Sequence, residues 1–405
     1  MYAPAMPRMH LALLSLFLIL LPRAPHAAAQ PPAAPAPAPP ADHAAPAPAH
    51  NVILVMCDGF RWQELFAGAD ERLITKAHGV DQPDPLRTRF WRDTPRARRE
   101  ALLPFVWSTI ASQGVIIGNA WKNAPARITN PHRVSYPGYS ETLCGFPHPH
   151  IKDNRSIPNS EVTVFEWLHN RPGFSGKVAA FGAWNIFPAI FNAERCGFPV
   201  DDGLKPIDFG RTNESVRTVN TLRREIPRRW SASTFDALLF RPALEWMTLN
   251  EPRVMFVGLG ETDEWGHEDQ YDEYLDAAAR FDGYLRELWA TVQSLPAYKD
   301  RTAILVTCDH GRGGSNDDVP GLEGGTLETW RDHNAKVIGA ERIWVMAFGA
   351  GVAALGEVRD LPEPVTQSQI AATLAALVGE DYSAAQPRAG KPIAQILARP
   401  HQTRP

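Results

Sequence analysis

The chain has 405 residues, ordinary apolar content and a formal net charge of −4. That is enough for one large core or two domains, and too apolar for a disordered chain. No basic excess points to a nucleic-acid surface, so no stable nucleic-acid partner is expected.

The N-terminus opens with Arg8 and His10 before the apolar run Leu11 to Leu21, which is short for a membrane span. Small residues up to Ala29 offer a cleavage site, so residues 1–29 are predicted to be a secretory signal peptide. An uncleaved anchor is the alternative. Residues 30–50, "QPPAAPAPAPPADHAAPAPAH", are alanine and proline almost throughout and are predicted to be an extended tether. Export to a bacterial periplasm or to the medium is the expected location, with no transmembrane domain in the mature chain. Export permits disulfides. Of Cys57, Cys144, Cys196 and Cys308, the pair Cys144–Cys196 is the expected bridge, because both lie in glycine- and proline-rich stretches.

From residue 51 to about 400 the pattern is that of one catalytic domain. Continuous apolar runs at 51–57, 114–120, 177–183, 253–259, 302–308 and 342–349 predict strands buried on both faces. Helical spacing appears at 99–114 and 271–294. A Thr366–Gln369 capping box opens a further helix over 366–380. The expected fold class is therefore α/β: a mostly parallel central sheet flanked by helices. The less regular stretch of about 150–250 is expected to form a smaller cap or insertion that shapes a pocket.

Several of the predicted strands end on, or lie beside, polar residues of metal-ligand type. Strand 51–57 runs into Asp58, strand 253–259 into Asp263 and His267, and strand 302–308 into Asp309 and His310. His333 precedes strand 342–349. In a parallel sheet the carboxyl ends of strands share one edge, where ligands bind. Carboxylates and imidazoles in this number suit two divalent ions, which together clamp a phosphoryl group and activate a hydroxyl. "RVSYPGYSETLCG", residues 133–145, supplies Ser135, Ser140 and Thr142 as candidate hydroxyls. Composition does not choose among them.

With these motifs in hand, the chain resembles the alkaline phosphatase superfamily over about residues 51–380, and most closely its nucleotide pyrophosphatase/phosphodiesterase branch. "DGFRW" looks like the branch's first metal motif, "SYPGYSETLCG" its nucleophile motif, "ETDEWGH" its aspartate-x-x-x-histidine motif and "TCDHG" its aspartate–histidine–glycine motif. The resemblance implies that Ser135 is the nucleophile. It implies that Asp58, Ser135, Asp309 and His310 hold one metal, and Asp263, His267 and His333 the other, with His132 in reserve. Zinc is the implied metal and manganese its alternative. Gly138 stands where the branch carries an asparagine that helps hold phosphoryl oxygen. Arg61, Lys122, Asn123, Arg133 and Arg312 are the candidate replacements. Tyr139 stands where a sulfatase signature has arginine, which argues against a formylglycine sulfatase.

The expected activity is metal-dependent hydrolysis of a small-molecule phosphate ester through a phosphoseryl intermediate, with phosphodiesterase preferred. The alternatives are a phosphomonoesterase of the same superfamily and a catalytically inactive, metal-stabilised binding module. Trp184 and Trp265 are candidate stacking surfaces for a base or aryl group, or packing residues.

Overall fold

The computed structural model describes residues 48–314 and 325–398. The expected signal peptide and nearly all of the tether lie outside these residues. Eleven strands appear among them: β1 Asn51–Cys57, β2 Gly114–Ile117, β3 Ala126–Arg127, β4 Val178–Gly182, β5 Val200–Asp201, β6 Val254–Leu259, β7 Thr302–Thr307, β8 Arg342–Ile343, β9 Val345–Gly349, β10 Gly356–Glu357 and β11 Val365–Thr366. Eight form the central sheet, in the order β10-β2-β9-β7-β1-β6-β4-β5. The short strands β11, β3 and β8 make a second sheet.

The central pairs are parallel, and β9 alone runs against its neighbours β7 and β2. β1, β6 and β7 are buried at every residue, as their unbroken apolar sequences require. Helices Asp236–Asn250 and Ile370–Leu377 pack on the sheet, the first against β4 and β6 and the second against β1. Residues 150–250 supply β4 and β5 to the sheet as well as helices outside it.

Register places the site. β1 sits between β7 and β6, with Cys57 opposite Leu259 and Met56 opposite Thr307. The residues that follow these three strands therefore leave the sheet side by side. One slot in the sheet has a simple cause. Gly182 and Gly258 are register partners, and a Cβ on either would meet the ring of Phe187, at 1.9 and 2.6 Å. The missing side chains let Phe187 lie on the sheet, where it contacts Phe256 and Tyr139.

The structure departs from three expectations. The run 99–114 is not one helix: helix Pro95–Leu102 stops, and helical geometry resumes at Pro104. Pro104 is the reason, since the residue before a proline is pushed out of the helical region, and Leu103 has φ −129°. The restart is organised from elsewhere in the chain, because the Asp282 carboxylate accepts the backbone N–H groups of Phe105 (3.0 Å) and Val106 (2.8 Å). The run 342–349 divides at Trp344 into β8 and β9, which belong to different sheets. Trp344 donates its indole N–H to the Phe60 carbonyl and accepts a hydrogen bond from the Thr307 hydroxyl at its own carbonyl. Finally, Cys144 and Cys196 are not bridged; all four cysteines are free and buried. Cys144 ends a helix beside the Asn159 amide, whereas Cys196 faces the Phe198 carbonyl. Burial pushes the Cys144 thiol up to about 12. Among the described residues no helix is long and apolar enough to cross a membrane.

Asp282→Ala leaves two buried N–H groups without an acceptor, and its unfolding free energy in urea should fall by about 1–3 kcal/mol. Burial raises the folded Asp282 carboxyl from 3.8 to about 6. The folded state therefore binds the extra proton between those values, and this contribution to stability is lost as pH rises through about 6. The advantage of wild type over Asp282→Ala is expected to shrink from pH 4 to pH 7.

Candidate active site

Asp58 follows β1 and Asp309 and His310 follow β7, so the adjacent strand ends bring the three together. One ligand atom from each lies within 4.8 Å of the others. His310 donates Nδ1–H to the Gly311 carbonyl at 2.9 Å. This turns its Nε2 towards Asp58 Oδ1 at 3.4 Å and Asp309 Oδ2 at 3.3 Å. Asp309 Oδ1 accepts the Gly59 N–H and Asp58 Oδ2 the Tyr139 hydroxyl. The two remaining oxygens, Asp58 Oδ1 and Asp309 Oδ2, are buried and have no hydrogen-bond partner among the described residues.

The second cluster is Asp263, His267 and His333, again within 4.8 Å. Asp263 and His267 lie four residues apart on helix Glu261–His267, which follows β6, so they share a face. His333 arrives from another segment and donates Nδ1–H to the Arg133 carbonyl at 3.0 Å. Its Nε2 then points at His267 Nε2, 2.9 Å away. The His310 and His333 rings stack at 3.7 Å and join the two clusters.

Charge is unevenly shared across these groups. Burial, then the nearby Asp263, pushes the Asp58 carboxyl well above its usual range, and burial followed by Asp58 does the same to Asp309. Burial would also raise Asp263, but Arg312, His267 and His333 outweigh it and hold that group well below. Burial, then His310, keeps His333 well below the ordinary imidazole value, so it is a neutral donor of an electron pair.

Ser135 opens helix Ser135–Cys144, and its Oγ lies 3.3 Å from His310 Nε2. Ser140 and Thr142 are buried within the same helix, and neither lines the cleft. A cleft of about 200 Å³ runs past Ser135, bounded among others by Asp58, Asp263, His267, Asn154 and Trp184.

The segment before Ser135 is fixed by one buried carboxylate. Glu141 accepts hydrogen bonds from the backbone N–H groups of Thr129 and Asn130, from both their side chains, and from Ser368. The Asn130 Oδ1 accepts the N–H groups of His132 and Arg133. This turn holds Arg133 in the left-handed region, φ 55°. It aims the Arg133 carbonyl at His333 while Ser135, two residues on, enters the cleft.

The structure disperses the expected phosphoryl-binding cations. Arg61 is buried, its guanidinium on the Glu64 carboxylate and the Gly313 carbonyl. Lys122 pairs with Glu357 of edge strand β10. Asn123 caps the turn beside Lys122 and does not line the cleft. Arg133 pairs with Glu341 and the Val337 carbonyl. Arg312 is fully buried, with Nη2 2.6 Å from Asp263 Oδ1, which makes it the charge partner of the second cluster. His132 joins neither cluster.

Gly138 could not have been exchanged for an asparagine that reaches phosphate. A Cβ there would meet the Asp309 carbonyl oxygen at 2.2 Å, so the helix rests directly on the backbone that presents Asp309. Tyr139, Asn154, Ser233 and Glu264 also line the cleft and were not expected there from the sequence. Tyr139, at i+4 from Ser135, was visible as a same-face neighbour. Asn154 sits in a loop with no periodic signal, and its Oδ1 accepts the Tyr136 N–H at 2.9 Å. Of the two tryptophans, Trp184 lines the cleft, whereas Trp265 is buried against Trp230.

An eight-stranded, mostly parallel sheet with this edge has the fold of the alkaline phosphatase superfamily. Wild-type alkaline phosphatase PafA superposes with a TM-score of 0.51 at 12% identity, covering 87% of this chain and 99% of that one. A 2-O GAG sulfatase gives 0.51 at 14% (88% and 76%). The lipoteichoic acid synthase LtaP from Listeria monocytogenes gives 0.50 at 12% (82% and 72%). At these identities the likeness is one of fold. No curated protein matches the chain in sequence. The sequence profile of the type I phosphodiesterase / nucleotide pyrophosphatase family matches residues 75–323, more than half of the chain, and the chain belongs to that family. It is a hydrolase of the alkaline phosphatase superfamily. The matched span contains Ser135, Asp263, His267, Asp309 and His310, while Asp58 and His333 lie outside it.

Gly138→Ala should push the helix off Asp309. An overpacking cost of about 1–3 kcal/mol in urea unfolding, together with lost activity, is the expected result. A variant as stable and active as wild type would show that this close approach is not required.

Proposed function

We propose that the chain is a phosphodiesterase that uses Ser135 as nucleophile. The observation that carries this reading is the charge make-up of the cleft. Two carboxylate–imidazole clusters flank one serine hydroxyl, and among the described residues no lysine or arginine lines the space beside it. A phosphate diester carries one negative charge and a monoester close to two. A cleft without a fixed cation suits the diester, because a terminal phosphoryl group asks for additional donors or cations.

The donor set fits two divalent ions. Unpartnered oxygens on Asp58 and Asp309 and inward-facing Nε2 atoms are what a metal site presents. Asp58, Asp309 and His310 with Ser135 would hold one ion, and Asp263, His267 and His333 the other. Zinc suits this mixture, and manganese is the alternative. Bound ions would lower the pKa of the serine hydroxyl and stabilise charge on the leaving oxygen.

The side chains divide the remaining work. Ser135 Oγ forms a bond to phosphorus as the bond to the leaving alcohol breaks. The electron pair departs with that oxygen, which takes up a proton. Water then cleaves the phosphoseryl bond, releases the monoester and returns a proton to Ser135. Ser135 stands at the first turn of a ten-residue helix, where the helix dipole favours developing negative charge. With Asn154 Oδ1 tied to the Tyr136 N–H, the amide Nδ2 is left as the neutral donor for a phosphoryl oxygen. A signal-like N-terminus supports action outside the cytoplasm.

Purified, metal-loaded protein should turn over bis-p-nitrophenyl phosphate with a kcat/KM at least about tenfold above that for p-nitrophenyl phosphate. The reverse order would make it a monoesterase. Ser135→Ala should lose about 10³-fold or more in kcat, and full activity in that variant would remove Ser135 from the chemistry. Asn154→Ala is expected to cost about 10²-fold. Chelation should abolish turnover, with recovery on adding zinc or manganese, followed by metal analysis of the protein.

A further inference from the structure

A second cavity of about 690 Å³, more than three times the volume of the catalytic cleft, lies beside edge strand β10. The two spaces share no lining residue. Helices Trp62–Ala67 and Pro95–Leu102, the turn Ala120–Lys122 and β10 contribute to its wall. Small-molecule sites occupy about 300–1,000 Å³, so the space is of ligand size.

Five lining side chains are cationic and two are acidic. Glu100 is taken up by Arg96 on its own helix. Glu357 lies between Arg99, at 3.2 Å, and Lys122, and it also accepts an Asn119 Nδ2–H at 2.6 Å. Arg98 donates to the carbonyls of Ala67 and Arg92. Among the described residues no carboxylate pairs with Arg98 or Arg359. The wall therefore holds a surplus of positive charge that the protein does not neutralise.

Two further observations give the ligand its chemistry. Asn119 is 3% exposed, and its Oδ1 has no hydrogen-bond partner among the described residues. Its Nδ2 is fixed by Glu357, so the free position is an acceptor, and a buried acceptor left unpaired is costly. Trp107 and Trp121 border the same space, and both are half-buried. Trp107 has Arg99 over its ring at 3.4 Å, and Trp121 packs on Trp62 at 4.1 Å. An indole offers an apolar surface of the kind on which the C–H face of a sugar ring packs. The hydroxyls of such a ring can donate to Asn119 Oδ1. A simple anion would answer the arginines and leave Asn119 unpaired. A neutral sugar would answer Asn119 and leave the charge unmet.

We infer that this cavity is a second ligand site, for a sugar that carries an anionic group, either carboxylate or phosphate. The assignment does not depend on the phosphodiesterase reading, and its test needs no turnover.

The probes are trigalacturonate with neutral maltotriose as its control, and glucose 6-phosphate with glucose as its control. Each is titrated calorimetrically into the metal-loaded full chain. The expected result is saturable binding of at least one sugar anion, with the neutral control weaker by about tenfold or more. The anion that binds tells a carboxylate-bearing from a phosphate-bearing ligand. Added salt should weaken the binding. Arg359→Glu should weaken it about tenfold or more, and Arg359 is exposed, so reversal there does not disturb the core. Trp121→Leu should weaken it as well. Neutral sugars that bind as tightly as the charged ones overturn the assignment. So does inorganic phosphate, if it binds as tightly as the sugar anions and is equally sensitive to Arg359→Glu, because the site is then a general anion patch. Absence of saturable binding, or binding that Arg359→Glu leaves unchanged, also overturns it.

Discussion

Three carboxylates, Asp58, Asp263 and Asp309, are brought together at one edge of the sheet, and the structure around them is arranged to compensate their charge. Burial and mutual repulsion push Asp58 and Asp309 up, while Arg312 and two imidazoles hold Asp263 down. The compensation is incomplete in the first cluster, where two carboxylate oxygens have no hydrogen-bond partner among the described residues. Buried acceptors in that state are costly. The donor set fits divalent ions, which would supply the missing charge. Small residues make the crowding possible. A Cβ at Gly59 would meet Asp263 Oδ1 at 2.5 Å, and one at Gly266 would meet the Arg312 guanidinium at 2.7 Å.

The helix that opens on Ser135 answers to the same constraint from the other side. It lies so close to Asp309 that only glycine fits at 138. Its Tyr139 hydroxyl donates to Asp58, and its Glu141 ties down the turn before Ser135. The carbonyl of Arg133 in that turn orients His333. One helix thus sets the first cluster, the serine and, through the turn, the second cluster.

Where positive charge is absent is as informative as where it is present. Every arginine proposed in the sequence to touch substrate is instead consumed by a carboxylate: Arg61 by Glu64, Arg133 by Glu341 and Arg312 by Asp263. Among the described residues the cleft is lined by carboxylates, neutral polar groups and aromatic rings, with no lysine or arginine. The proposed preference for a singly charged phosphate group rests on that composition.

The unbroken apolar runs of β1, β6 and β7 determined the sheet and, with it, where Asp58, Asp309 and His310 would emerge, because a strand buried on both faces can only be apolar and its first polar residue marks its end. The helix over 271–294 and the Thr366–Gln369 capping box were legible for the same local reasons. The i, i+4 pair Asp263 and His267 was equally a local matter. Other features were settled by contacts between distant segments. The break at Trp344 depends on Phe60 and Thr307, and the helix restart after Leu103 depends on Asp282. The unbridged Cys144 and Cys196 ended on separate partners. The choice of Ser135 over Ser140 and Thr142, the arrival of Asn154 in the cleft and the burial of the arginines followed from packing across long stretches of chain. Local pattern marked the residues that form the two clusters; only the tertiary structure decided which charges are paired inside the protein, because the pairing of charges depends on distance in space and not in sequence.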